Sequence, residues 1–171
     1  MFWFVMADQV REGVGIFKRL WFEAGDVDIN LGMTVDELTI VMLGLVTIVA
    51  FAVQVYSIGY MKGDSRFGWY FAVHSLFAGA MLALILVDNL LVFYVAWELV
   101  GLCSYLLVGF WYERRPAAEA AKKAFITTRF GDVALLIGIL VLFKASGTFD
   151  MGDIFAMACV GRVGGREGGV L

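Results

Sequence analysis

The sequence predicts an all-α, polytopic transmembrane bundle of about four helices, and three observations carry that reading. Of 171 residues, 61% are hydrophobic and 17% charged, with a mean hydropathy of +0.85, outside the range of soluble domains. The apolar residues gather in four runs of roughly 20 residues or more, the length a helix needs to cross a hydrocarbon core of about 30 Å. None of the runs alternates with a period of two. That excludes a closed barrel, and only helices or barrels satisfy the backbone in lipid.

The elements follow in order. Met1 to about Leu20 is apolar and aromatic but is interrupted by Arg11, Glu12, Lys18 and Arg19, too many charges for a span. A secretory signal is disfavoured there, because the charges follow the apolar start and no small-residue cleavage site is evident. From Trp21 to Met33, Asp26, Asp28 and Asn30 alternate with Val27, Ile29 and Leu31, the period of a short strand or hairpin. The spans then run from about Glu37 to Met61, Phe67 to Val87, Asn89 to Trp111 and Pro116 to Phe143. Pro116, the only proline, precedes an alanine-rich run and suits the first turn of a helix. Lys144 to Asp153 reads as a turn, Ile154 to Val160 as a short apolar piece, and the glycine-rich Gly161 to Leu171 as a disordered tail. The chain thus divides into an N-terminal segment, residues 1–35, a four-helix region, residues 36–144, and a C-terminal piece, residues 145–171.

Charge sets the orientation. Lys62 and Arg66 lie between the first and second spans, and Arg114, Arg115, Lys122 and Lys123 lie around the start of the fourth. Antiparallel spans put these on one side and Asp26, Asp28, Asp36, Glu37, Asp88, Asp150 and Asp153 on the other. The positive-inside rule makes the basic side cytoplasmic and places both termini outside, with Lys18 and Arg19 running against the trend. The net charge of -3 and the absence of a basic patch interleaved with aromatics argue against a nucleic-acid partner. Cys103 and Cys159 are far apart, with no histidine at metal spacing, and read as free thiols rather than metal ligands.

Three charged residues interrupt the apolar runs: Glu98 in the third, Arg129 and Asp132 in the fourth. A charge at membrane depth costs at least about 2.5–3.5 kcal/mol on insertion scales, so it persists mainly where it lines a polar cavity or ion path. Glu98 lies about 13 Å into its helix, near mid-membrane. A carboxyl buried there without a cation exchanges its proton near neutral pH, as a proton relay requires; the other reading is an interhelical hydrogen-bond donor. Gly101 shares its face and leaves room for water or a neighbouring helix. Arg129 and Asp132, at i and i+3, are spaced to pair, either as one end of a polar level with Glu98 or as a self-neutralising pin between helices. Thr127 and Thr128 are expected to return hydrogen bonds to carbonyls one turn back. His74, the only histidine, sits mid-span and is either a packing residue or a proton relay. Asp88 and Asn89 mark a helix end. Trp69, Tyr70, Trp111 and Tyr112 fit interface anchors.

The run Ala96-Trp97-Glu98-Leu99-Val100-Gly101-Leu102-Cys103-Ser104-Tyr105, continued by Lys123-Ala124-Phe125-Ile126-Thr127-Thr128-Arg129-Phe130-Gly131-Asp132, closely resembles the antiporter-like subunit L, or subunit 5, of respiratory complex I. The likeness extends over about residues 21–153. Mrp-type cation/proton antiporters share the Trp-Glu pair but not usually Gly-Leu-Cys-Ser-Tyr with the later Arg-x-Gly-Asp. The resemblance implies a proton-translocating membrane subunit of an NADH:quinone oxidoreductase in a bacterial inner membrane, partnered by neighbouring membrane subunits. It also implies that NADH, flavin, iron–sulfur and quinone sites lie in partners, not in this chain. In that family the glutamate matching Glu98 handles protons opposite a lysine on a later helix. The arginine and aspartate matching Arg129 and Asp132 lie on the same polar axis or at its boundary. The family's first two helices and everything beyond about Asp153 are not matched, so a truncated or split reading frame unable to pump alone is expected. An antiporter subunit outside respiration and a non-pumping scaffold or remnant are the rival readings.

Overall fold

A computed structural model describes residues 15–24 and 27–159. They form a hairpin of β1 (Gly15–Ala24) and β2 (Val27–Val35), then α1 (Glu37–Tyr60), α2 (Phe67–Leu86), α3 (Leu90–Val108), α4 (Arg115–Ser146) and a short α5 (Met151–Cys159). Helices α1 to α4 are each long and apolar enough to cross a membrane. The first and second spans match their expected limits within a residue. The third stops at Val108, earlier than expected, because Gly109 caps it and its N–H bonds back to the Tyr105 carbonyl at 2.9 Å. The fourth starts at Arg115 with Pro116 in its first turn, where proline's missing N–H has no helical partner to lose.

The hairpin is longer than the alternation suggested. It pairs antiparallel from Gly15 opposite Val35 to Ala24 opposite Val27, with an irregularity between Leu20 and Phe22. It therefore takes in the end of the interrupted apolar segment read before Trp21. Met1 to Val14 and the expected glycine-rich tail lie outside the described residues. The short apolar piece forms α5, starting three residues before Ile154.

One end of the bundle is tied by backbone. The Asp88 N–H donates to the Gly32 carbonyl of β2 at 3.1 Å, the Leu90 N–H to Phe149 at 2.8 Å, and the Met151 N–H to Asp88 at 3.0 Å. Asn89 accepts from the Leu91 N–H at 2.9 Å and so caps α3. Asp88, Asn89 and Asp150 are buried in this knot, where the sequence suggested loop positions at a helix end.

Helices α1 to α4 pack side by side in chain order, and many of the buried positions are small or polar, among them Ser57, Ala80, Ala96, Cys103, Ala121 and Asp132, alongside the larger Val73, Phe110 and Ile139. Large apolar side chains such as Ile48, Phe130 and Val141 face outward. Lipid is as apolar as leucine, so close approach and polar contacts, rather than a greasy core, hold such helices together.

Candidate functional site

The site lies where α3 meets α4. From α3, Trp97 and Glu98 project toward α4; from α4, Arg129 and Asp132 project back. Arg129 Nη1 is ion-paired with Glu98 Oε2, and Asp132 Oδ2 lies 3.8 Å from the same nitrogen. The Trp97 indole N–H donates to Asp132 Oδ1 at 2.9 Å. That bond joins the two helices at the level of Glu98, the one of the two alternatives in which Arg129 and Asp132 share a polar level with Glu98.

Two expectations change here. Glu98 is not a carboxyl without a cation, because Arg129 reaches it from the neighbouring helix. The i, i+3 pair of Arg129 and Asp132 exists only as the longer of the arginine's two contacts, since the side chain is drawn across the interface to Glu98. Arg129 is therefore shared between two carboxylates, and the three groups carry a formal charge of -1 when all are ionised.

Neighbouring groups hold the arginine in place. Its guanidinium lies over the Phe125 ring, 4.5 Å from the centroid, a favourable cation–π contact. Gly101 faces it: a Cβ there would stand 3.9 Å from Arg129 Nη2, an ordinary contact, so the space beside the cation would take a methyl group. Arg129 Nε is buried without a hydrogen-bond partner, leaving one donor of the fork uncommitted. Asp132 is 5% exposed and borders a cavity of about 730 Å³ that also touches Trp97, Gly101, Ser104, Thr127 and Thr128. The two threonines return their hydroxyls to the Lys123 and Phe125 carbonyls, each at 2.9 Å.

His74 stands apart from this cluster. It is buried in α2, stacked on Tyr70 with centroids 6.0 Å apart, and its Nδ1 has no partner. It borders a separate cavity of about 290 Å³ between α1 and α2. Cys103 is a buried free thiol and Cys159 an exposed one. Trp97 is the site residue that charge counting overlooked. Its signal was its place beside Glu98, which turns it to an adjoining face of the same helix.

Residues 87–168 match the model of the NADH:quinone oxidoreductase/Mrp antiporter transmembrane family, and residues 21–71 that of the complex I chain 5 N-terminus. The chain is 49% identical over 148 residues to NAD(P)H-quinone oxidoreductase chain 5 of Synechocystis sp., which covers 86% of this chain and 22% of that protein. It is 44% identical over 138 residues to NADH-quinone oxidoreductase subunit L of Pseudomonas aeruginosa, covering 81% of this chain and 22% of that one. Among solved structures, an Mrp complex from Dietzia sp. superposes with a TM-score of 0.75 at 27% identity, over 82% of this chain and 15% of the other. The chain spans about a fifth of the length of the curated relatives it matches. It belongs to the antiporter-like membrane subunits represented by chain 5, or subunit L, of the quinone oxidoreductases.

Proposed function

We propose that the protein moves protons across a membrane as a subunit of an NADH:quinone oxidoreductase, with Glu98 as relay acid and Arg129 and Asp132 as its polar partners. The observation that carries this reading is one cation shared by two carboxylates on two membrane-spanning helices. When Glu98 takes up a proton its half of the attraction vanishes, and Asp132 is left as the ionic partner of Arg129. When the proton leaves, the guanidinium is drawn back. A side chain with two positions, biased by one proton, is a two-state element of the kind a pump needs. The redox chemistry, with its NADH, flavin, iron–sulfur and quinone sites, belongs to partner subunits. Neighbouring membrane subunits and the bilayer are the partners, and the setting is a bacterial inner membrane with the basic loops in the cytoplasm and both termini outside.

The test replaces Glu98 with Gln in the full-length subunit within its complex. Proton transfer is expected to fall about a hundredfold or more, the scale of losing a positioned proton donor, while assembly persists. Unchanged pumping overturns the assignment. A second reading, a cation/proton antiporter subunit, is favoured by the likeness to the Mrp complex. It predicts sodium- or potassium-dependent proton flux that continues without NADH oxidation.

A further inference from the structure

The basic end of the bundle holds a cavity of about 560 Å³ that Glu98 does not line, walled by Arg66, Trp69, Leu106, Tyr112 and Lys122. Its size falls within the roughly 300–1,000 Å³ of small-molecule sites. Arg66 lies at the start of α2 with its guanidinium against two rings, 5.1 Å from the Phe110 centroid and 4.8 Å from that of Tyr112. Stacking fixes the plane of the fork and leaves its edge free to donate. Glu113 approaches Arg66 at 3.6 Å, but its side chain is 70% exposed, and a pair in water is worth at most about 1 kcal/mol. Lys122 enters from α4. Residues 62–66 and 113–123, the segments that supply Arg66, Ala118 and Lys122 to the wall, hold six lysines and arginines against three carboxylates.

The level in the membrane narrows the ligand. The cavity opens where α2 begins and α3 ends, the depth of headgroups, and Trp69 and Tyr112 are exposed there like the amphipathic rings of an interfacial belt. Beside the two cations the wall is apolar at Leu106, Phe110 and Ala118. A free anion would leave that wall against water, whereas an amphiphile covers both. We propose that this cavity binds an anionic phospholipid, its phosphate held between Arg66 and Lys122 and an acyl chain laid against Leu106. Basic pockets between helices at this level suit such headgroups. This inference is independent of the proton-relay reading.

Native mass spectrometry of the delipidated full chain, titrated with phosphatidylglycerol or phosphatidylcholine, tests it. Phosphatidylglycerol is expected to bind more tightly, with Arg66→Gln and Lys122→Gln each weakening it about fivefold, the attraction of one basic group at an anionic surface. The double substitution should remove the preference, and Lys123→Gln, on a residue outside the cavity wall, should leave it intact. If Arg66→Gln does not fold, Lys122→Gln against Lys123→Gln decides the matter alone. Equal binding of the two lipids overturns the proposal, as does an equal loss in Lys123→Gln, which would indicate diffuse surface charge. Displacement of the lipid by millimolar inorganic phosphate would assign the site to a free anion and overturn it too.

Discussion

Trp97 and Gly101 show how much of the site depends on single atoms. The indole N–H is a donor to the buried Asp132 at 2.9 Å, so Trp97→Phe keeps the ring and removes that bond. Stability in detergent or bilayer is expected to fall by about 0.5–2 kcal/mol, the range for hydrogen bonds between transmembrane helices; denaturant titration of the variant reads this directly. An unchanged midpoint would mean that Asp132 does not depend on the indole. At Gly101 the 3.9 Å clearance to Arg129 admits a methyl group but not a branched side chain. Gly101→Ala should therefore retain the Glu98–Arg129 pair, while Gly101→Val should force the guanidinium away and lower proton transfer in the assembled complex. The types of these residues, and their presence inside apolar runs, were legible in the sequence. The choice of Glu98 over Asp132 as the arginine's nearer partner was not, because it depends on which faces of α3 and α4 meet.

At the scale of elements, caps and close approaches decide stability. Asp36 caps α1 by accepting from the Thr39 N–H at 2.6 Å, and its bonds to Thr39 hold its carboxyl below the usual value of 3.8. A depressed pKa means that the ionised form is favoured on folding, so its stabilisation is present above that usual value. It is lost as the pH falls through the lower, folded-state value. Asp36→Ala should cost about 1 kcal/mol, typical of a lost N-cap. Its deficit measured at neutral pH should shrink on acidification below the usual carboxylate range. Between α3 and α4 the tight point is Gly109, where a Cβ would stand 3.2 Å from the Ala121 Cβ and from the Tyr105 carbonyl. Gly109→Ala should push the helix ends apart and lower the melting temperature, in contrast to the tolerated Gly101→Ala. Helix existence and length were readable because each span satisfies its own backbone. The hairpin was only half readable, since Gly15 to Leu20 lacks the alternation that marks Val27 to Leu31, and pairing with β2 gives this stretch its extended form.

Over the whole molecule, the backbone knot joins three segments distant in sequence: the hairpin at Gly32, the α2–α3 turn at Asp88 and Asn89, and the α4–α5 connection at Phe149 to Met151. Asn89→Ala removes the cap of α3 at this junction and should destabilise the bundle by about 1 kcal/mol, with hydrogen exchange rising at the Asp88 and Met151 amides, which donate to Gly32 and Asp88, as well as in α3. Exchange confined to α3 would show that the three segments do not act as one unit. By itself the sequence determined the membrane class, the four spans and the family, because these rest on local hydrophobic length and on motifs within one stretch of chain; it left the polar level across the last two spans as one of two readings. Only the tertiary structure decided that Arg129 bridges Glu98 and Asp132, that Trp97 secures Asp132, and that the acidic turn is buried under the hairpin. Those contacts depend on the rotation and approach of helices about one another. In lipid that arrangement is set by a few small and polar side chains, not by the apolar pattern that makes the helices.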